Sequence, residues 1–131
     1  MTQESAGKIT TYNWNSIPKR VAREGIIQRG FRGSKTLISY AELHPNMTPM
    51  PHSHEAEQIF MILKGRVKLH VGDQVFNMEE GSIVRIPPYV EHWSEPPNPD
   101  DGVAINMDIF SSIRPDQYDL LTYQTEKFET K

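Results

Sequence analysis

The stretch PHSHEAEQIFMILKG, which runs from Pro51 to Gly65, decides how this chain folds. It places His52 and His54 one residue apart, follows them with Gln58, and then enters an apolar run that ends at glycine. An apolar run of this length, bounded by polar residues and glycine, predicts a buried β-strand. Polar side chains directly before such a strand need a structural reason, because burying them without partners costs free energy.

The composition indicates a single globular domain, residues 1–131, large enough to bury a hydrophobic core. The net charge of -3 and the isoelectric point near 5.9 argue against a nucleic-acid partner. The chain has no cysteine, which excludes disulfides and thiolate ligands. No apolar stretch is long enough for a membrane span, and the first ten residues lack the apolar core of a signal peptide. We therefore expect a cytoplasmic protein with no membrane partner.

Ten prolines and eight glycines separate short apolar runs, which is typical of an all-β sandwich or barrel. Strands are predicted at 24–31, 35–43, 82–86 and 102–110, and residues 58–78 are predicted to form three more. The dipeptides Lys64-Gly65 and Gly72-Asp73 suit the turns between those three strands. Only the segment from Arg114 is predicted to be helical, since Pro115 suits a first helical turn.

The strand from Gln58 is expected to be covered on both sides. Alternation puts Gln58, Phe60 and Ile62 on one face. The opposite face carries three more apolar residues, which are Ile59, Met61 and Leu63. One face is expected to line a barrel, and the other to contact a second copy of the chain in a homodimer, because exposing three large apolar side chains in a row is costly.

The last predicted strand also has two different faces. One carries Asn106 and Asp108, and the other consists of Val103, Ile105, Met107 and Ile109. The apolar face is expected to be core or interface. The two polar residues are then expected to face solvent or a polar cavity.

Three chelating side chains, His52, His54 and Gln58, fall on one face because their positions differ by even numbers. A divalent cation would satisfy them, since neutral imidazole is the commonest protein metal ligand. His92 is a fourth candidate, because the Pro87-Pro88 pair that ends the preceding strand would fix it at the mouth of a barrel. A purely structural role for these histidines stays open.

Two segments carry a resemblance to the cupin superfamily. HSHEAEQIFMILKG resembles its first signature, in which HxH is followed after three or four residues by an acid or amide and later by glycine. GSIVRIPPYVEH, residues 81–92, resembles the second, although Tyr89 stands where the family usually has glycine. The resemblance implies a double-stranded β-helix (jelly-roll) barrel with one divalent metal ion held by His52, His54, Gln58 and His92. The ion could be nickel, iron, manganese or zinc.

The resemblance also divides the chain into three parts. The barrel core is expected at about 35–110, with an N-terminal arm at 1–23 and a C-terminal cap at 111–131 that contains the short helix.

A narrower resemblance covers DIFSSIRPDQYD, residues 108–119. It is similar to a segment of single-domain cupins that includes the pectin-degradation proteins, which convert unsaturated uronates to linear keto forms. The resemblance implies that Asp108, Phe110 and Arg114 line the catalytic pocket. Asp108 would then move a proton, and Arg114 would bind a substrate carboxylate. Alternatively, Asp108 and Arg114 form an ion pair with each other.

Three functions remain open from the sequence. The first is a metal-dependent isomerase or lyase that acts on a small oxygenated, carboxylated substrate without redox change. The second is an iron(II) dioxygenase, because three histidines with open coordination positions can also bind oxygen. The third is a non-catalytic module that binds a metal or a sugar acid.

Overall fold

The computed structural model describes residues 9–125, so residues 1–8 of the expected arm and 126–131 of the expected cap lie outside the described residues. The described chain forms nine strands and two short 3-10 helices, at Trp14–Ser16 and Pro115–Leu121. The strands are β1 Arg20–Arg23, β2 Ile26–Arg32, β3 Thr36–Leu43, β4 Glu57–Lys64, β5 Val67–Val71, β6 Gln74–Met78, β7 Ile83–Ile86, β8 His92–Ser94 and β9 Ala104–Ser111. Within this range no helix is long and apolar enough to cross a membrane.

The strands form two antiparallel sheets with a shared core. The larger has the order β1-β2-β3-β9-β4-β7, and the smaller has the order β6-β5-β8. Phe60 and Ile62 of the larger sheet pack in one buried cluster with Leu69 and Val71 of the smaller. The predicted all-β jelly-roll with a short C-terminal helix is therefore confirmed.

Two strands were not predicted from the sequence. β1 falls within the expected N-terminal arm but pairs with β2, so the larger sheet starts well before the expected core at residue 35. Its sequence, RVAR, gives no apolar signal, and Val21 is mostly exposed. The predicted strand at 24–31 starts later, at Ile26, because Glu24 and Gly25 form the turn after β1. β8 was missed because it has only three residues.

The inner face of β9 is the one that contains the polar residues. Ala104, Asn106 and Phe110 are buried there, with Asp108 partly buried beside them. The apolar face is partly exposed on the outside of the sheet, so it does not form core, and its alternative role as an interface stays a prediction. The hydrophobic pattern was misleading because Asn106 and Asp108 face a cavity that is lined in part by polar residues.

Part of the outer surface of the larger sheet is covered by the chain's own N-terminal segment. Trp14 stacks on Tyr40 with ring centroids 5.3 Å apart, and Tyr12 meets Phe31 edge-on at 5.5 Å. Further along the same sheet, Leu63 is 44% exposed. The expected homodimer contact at that outer surface stays a prediction.

We expect Gly25→Ala to destabilise the fold by about 3 kcal/mol or more. Gly25 has φ of 82°, and a Cβ there would lie 2.5 Å from the backbone N and Cα of Met47. Gly81→Ala is the matched control, because Gly81 has φ of 87° but no described atom within 4 Å of its Cβ position. Its cost should be about 1 kcal/mol, from backbone strain alone. Urea unfolding measures both, and equal losses would mean that the Met47 segment moves aside.

Candidate metal centre

A backbone bridge between two distant segments brings His52 and His92 together. The N–H of His52 donates to the carbonyl of His92 at 3.1 Å, and the N–H of His92 donates back at 2.9 Å. Residues opposed in an antiparallel pair project to the same side, so the two imidazole rings face each other with centroids 4.4 Å apart. The two signatures of the sequence therefore meet at one point.

His54 completes the group. Its ring lies 5.9 Å from that of His52 and 4.9 Å from that of His92, and the three offer ligand atoms within 4.8 Å of one another. Its carbonyl accepts a 2.8 Å hydrogen bond from the N–H of Tyr89. Tyr89 has φ of 64°, the left-handed conformation that favours glycine, so the loop keeps its shape although the residue departs from the family pattern.

Short hydrogen bonds to the backbone fix the orientation of each imidazole ring. The Nδ1 atoms of His52, His54 and His92 lie 2.8, 2.8 and 2.9 Å from the carbonyl oxygens of Met50, Ala56 and Val90. A carbonyl oxygen can only accept, so these bonds assign the proton of each ring to Nδ1. Each Nε2 atom is then left with the lone pair that a metal ion requires.

Burial keeps all three rings neutral. It lowers the pKa of His52 and of His54, and it lowers the pKa of His92 to about 4. The nearby charges of Arg114 and Arg23 lower the pKa of His52 further. His92 is only 3% exposed, and its Nε2 has no hydrogen-bond partner within the described chain. An unpartnered buried acceptor is costly unless something binds it, and a cation would.

The position of Gln58 also fits a cation. Its Oε1 lies 3.0 Å from Nε2 of His54, and its Nε2 donates to Oδ1 of Asp108 at 2.7 Å. With His54 protonated at Nδ1, the lone pair of its Nε2 faces a lone pair of Gln58 Oε1. Turning the Gln58 amide over would instead place Oε1 against the oxygen of an ionised Asp108. Adjacent donors of an octahedral site with bonds of about 2.1 Å are themselves about 3.0 Å apart. The 3.0 Å separation of Gln58 Oε1 and His54 Nε2 therefore suits two ligands of one divalent ion.

The carboxyl group of Asp108 is connected to the histidine cluster through its hydrogen bond with Gln58. Burial raises its pKa to about 6, although the side-chain amides of Asn106 and Gln58 oppose that shift. Such a carboxyl group changes its protonation near neutral pH, as a general acid or base must.

The alternative that Asp108 and Arg114 form an ion pair is wrong. Arg114 donates to Asp116 at 2.8 Å, and its guanidinium lies 5.1 Å from the ring centre of Phe110. Phe110 is fully buried, and its ring lies 5.6 Å from that of His54. Phe110 therefore packs against the cluster, and Asp108 is connected to it through Gln58. A catalytic role for Asp108, Phe110 and Arg114 stays a prediction.

These residues line a cavity of about 640 Å³ that opens beside the cluster. The cavity wall includes His52, Gln58, His92, Asp108, Phe110 and Arg114. Among the further polar residues of the wall, which were not predicted as site residues, are Arg20, Arg23, Asn106 and Gln117. Alternation placed Asn106 beside Asp108, but the two arginines belong to the unpredicted β1, and Gln117 lies in the helix that was expected only to cap the barrel.

The remaining histidines have structural partners outside the cluster. His70 lies on the outer face of β5 beside the exposed Lys68, where it stacks on Trp93 at 3.7 Å and contacts Glu95 at 2.7 Å. His44 contacts Glu42 at 3.2 Å.

Comparison with known proteins agrees with this geometry. The Cupin domain family matches residues 39–110, which is more than half of the chain, and the protein belongs to that family. Its three grouped histidines fit a cupin metal site. No curated protein matches the chain.

Solved structures share the fold at low sequence identity. An RmlC-like cupin from Shewanella frigidimarina NCIMB 400 is 16% identical with a TM-score of 0.74, over 83% of this chain and 96% of that one. KdgF from Halomonas sp. is 15% identical with a TM-score of 0.74, over 82% and 99%. The polyketide cyclase RemF from Streptomyces resistomycificus is 17% identical with a TM-score of 0.69, over 82% of each chain. These likenesses show the cupin fold.

Proposed function

We propose that this cupin is a metal-dependent enzyme of the isomerase or lyase type that acts on a small oxygenated carboxylic acid. The observation that carries the proposal is the bond from Gln58 to Asp108. It joins the candidate metal donors to a carboxyl group whose pKa burial raises to about 6. A pure binding site has no need for a proton-transferring group beside its metal donors.

The three histidines and Gln58 would hold the ion through Nε2 and Oε1 atoms. A bound divalent ion supplies Lewis-acid polarisation of a substrate oxygen. The donor set carries no charge of its own, so it would leave the ion its full positive charge.

Asp108 would move the proton. Gln58 donates to its Oδ1, and Asp108 lies in the wall of the cavity that a substrate would enter. A carboxylate there accepts the proton of a hemiacetal or enol hydroxyl and returns it to carbon, so ring opening or tautomerisation needs no redox partner. Phe110 keeps water away from one side of the cluster, since its buried ring packs against His54.

Unsaturated uronates are the first substrates to test. The segment from Asp108 to Asp119 resembles that of the pectin-degradation cupins, and KdgF shares the fold of this chain. The isomerase or lyase reaction that we propose is ketonisation of such a uronate to its linear keto form.

The test is to load the purified protein with nickel, iron, manganese or zinc in parallel and add an unsaturated uronate. Loss of the ultraviolet absorbance of the conjugated double bond follows the reaction, and proton NMR identifies the keto product. Turnover without oxygen uptake is the expected result. Oxygen consumption with a diketone by the iron-loaded protein would instead favour the dioxygenase. Metal or uronate binding without turnover of any substrate would favour a non-catalytic module.

A further inference from the structure

Three arginines line the cavity, and two of them are already paired. Arg20 is bonded to Asp119, and Arg114 is bonded to Asp116. Both acids lie in the 3-10 helix at Pro115–Leu121. The pair between Arg20 and Asp119 joins β1 to the helix, whereas the pair between Arg114 and Asp116 is local to the start of the helix. Both pairs partly neutralise their arginines as binding sites for an anion.

Arg23 is different. Its Nε donates to the carbonyl of Thr48 at 3.2 Å, and no carboxylate lies within ion-pair distance of it in residues 9–125. The side chain is partly buried in the cavity wall. It is also close enough to His52 for its charge to act on that ring. A partly buried guanidinium without a counter-charge is a ready partner for an anionic ligand.

We propose that Arg23 binds the carboxylate of the substrate, and that Arg114 is a positioning residue held by Asp116 and Phe110. This reassigns the role that the family resemblance gives to Arg114. It rests on the proposed function in taking the substrate to be a carboxylic acid.

A buried oxygen atom of Gln117 indicates a second group that the substrate would carry. Oε1 of Gln117 has no hydrogen-bond partner within the described chain, and the residue is 5% exposed in the wall of the cavity. A buried acceptor without a partner is costly, and a hydroxyl group of a ligand could donate to it. The ligand class is therefore a hydroxylated acid.

Binding of galacturonate, a saturated uronate, tests the proposal without turnover. Titration calorimetry on the metal-loaded protein should show that Arg23→Gln weakens binding about 10- to 100-fold, the usual range for one charge-assisted pair. Arg23→Lys should lose less, because it keeps the charge but not the planar fork. Arg66→Gln is the matched control, since Arg66 is largely exposed outside this cavity and should bind as the wild type does.

Arg114→Gln separates the two assignments. Binding that survives Arg23→Gln but is lost in Arg114→Gln would overturn the proposal. If galacturonate does not bind to the wild type, the same variants are titrated with inorganic phosphate. Phosphate binding that depends on Arg23 would keep the anion site and show that it does not take galacturonate, while the turnover test decides the uronate function separately. Binding of neither anion in an Arg23-dependent way would refute the site itself.

Discussion

Replacing His52 and His54 together with alanine is expected to reduce the metal content from about one ion per chain to none. The variant removes two of the three Nε2 atoms that face the centre, and it also removes the ring that opposes Gln58. Loss of outer-shell partners alone costs 10- to 100-fold in metal affinity, so loss of two direct ligands should cost at least about 100-fold. Elemental analysis of the purified proteins after dialysis measures the change.

The control is His70→Ala, which also removes an imidazole from the barrel. His70 contacts Trp93 and Glu95 and lies outside the cluster, so the variant should keep its metal. A folded wild type that stays empty after incubation with all four candidate metals would mean that the three histidines are structural. The catalytic proposal would fail with them.

Asp108→Asn is expected to lower kcat about 10²- to 10⁴-fold while metal content stays at the wild-type level. The amide is nearly isosteric, and its oxygen can still accept the hydrogen bond from Gln58, but it cannot take a proton from the substrate. Asp73→Asn, in the exposed turn between β5 and β6, controls for the loss of a carboxylate. Unchanged turnover in the Asp108 variant would exclude it as the proton carrier.

The same substitution is expected to stabilise the metal-free protein at pH 7. Burial raises the pKa of Asp108 from 3.8 to about 6, so the unfolded chain releases this proton at lower pH than the folded chain does. The folded state therefore loses stability as the pH rises from about 4 to about 6, by roughly 3 kcal/mol in total.

The Asp108→Asn variant lacks this loss, because an amide does not ionise. It should match the wild type below about pH 4 and exceed it by about 2–3 kcal/mol at pH 7. Urea unfolding of both proteins at the two pH values measures the difference. A gain that does not depend on pH would mean that ionisation of Asp108 has no part in it.

The sequence was sufficient to predict the grouping of the candidate metal donors. Alternation put His52, His54 and Gln58 on one face, and they do lie together, although residues 55 and 56 form a bend between His54 and β4. His92 could be added because two prolines force the strand to stop before it. The backbone bridge that joins His52 to His92 is a tertiary contact, and no local pattern could predict it.

Other parts of the site depend on tertiary contacts that leave no local pattern in the sequence. Alternation separates the two faces of β9 but does not say which face lines a polar cavity, and of the two roles expected for the apolar face, core and interface, the first is wrong. β1 carries Arg23, but a short strand with charged ends gives almost no pattern. Arg114 has carboxylates at positions 108 and 116 within reach, and only the fold decides that it bonds to Asp116.

The hydrogen bonds that orient the histidines have a consequence for how this protein can change. Each Nδ1 is held by the main-chain carbonyl of a residue two positions away, at Met50, Ala56 and Val90. All twenty amino acids supply that carbonyl, so these hydrogen bonds do not depend on which side chains stand at the three positions. A metal centre oriented by side-chain carboxylates would lose its alignment when any of them was replaced. Here the orientation of the three rings is set by the backbone, so substitutions at these positions are limited by packing, as at the buried Ala56, and not by the need to orient a histidine.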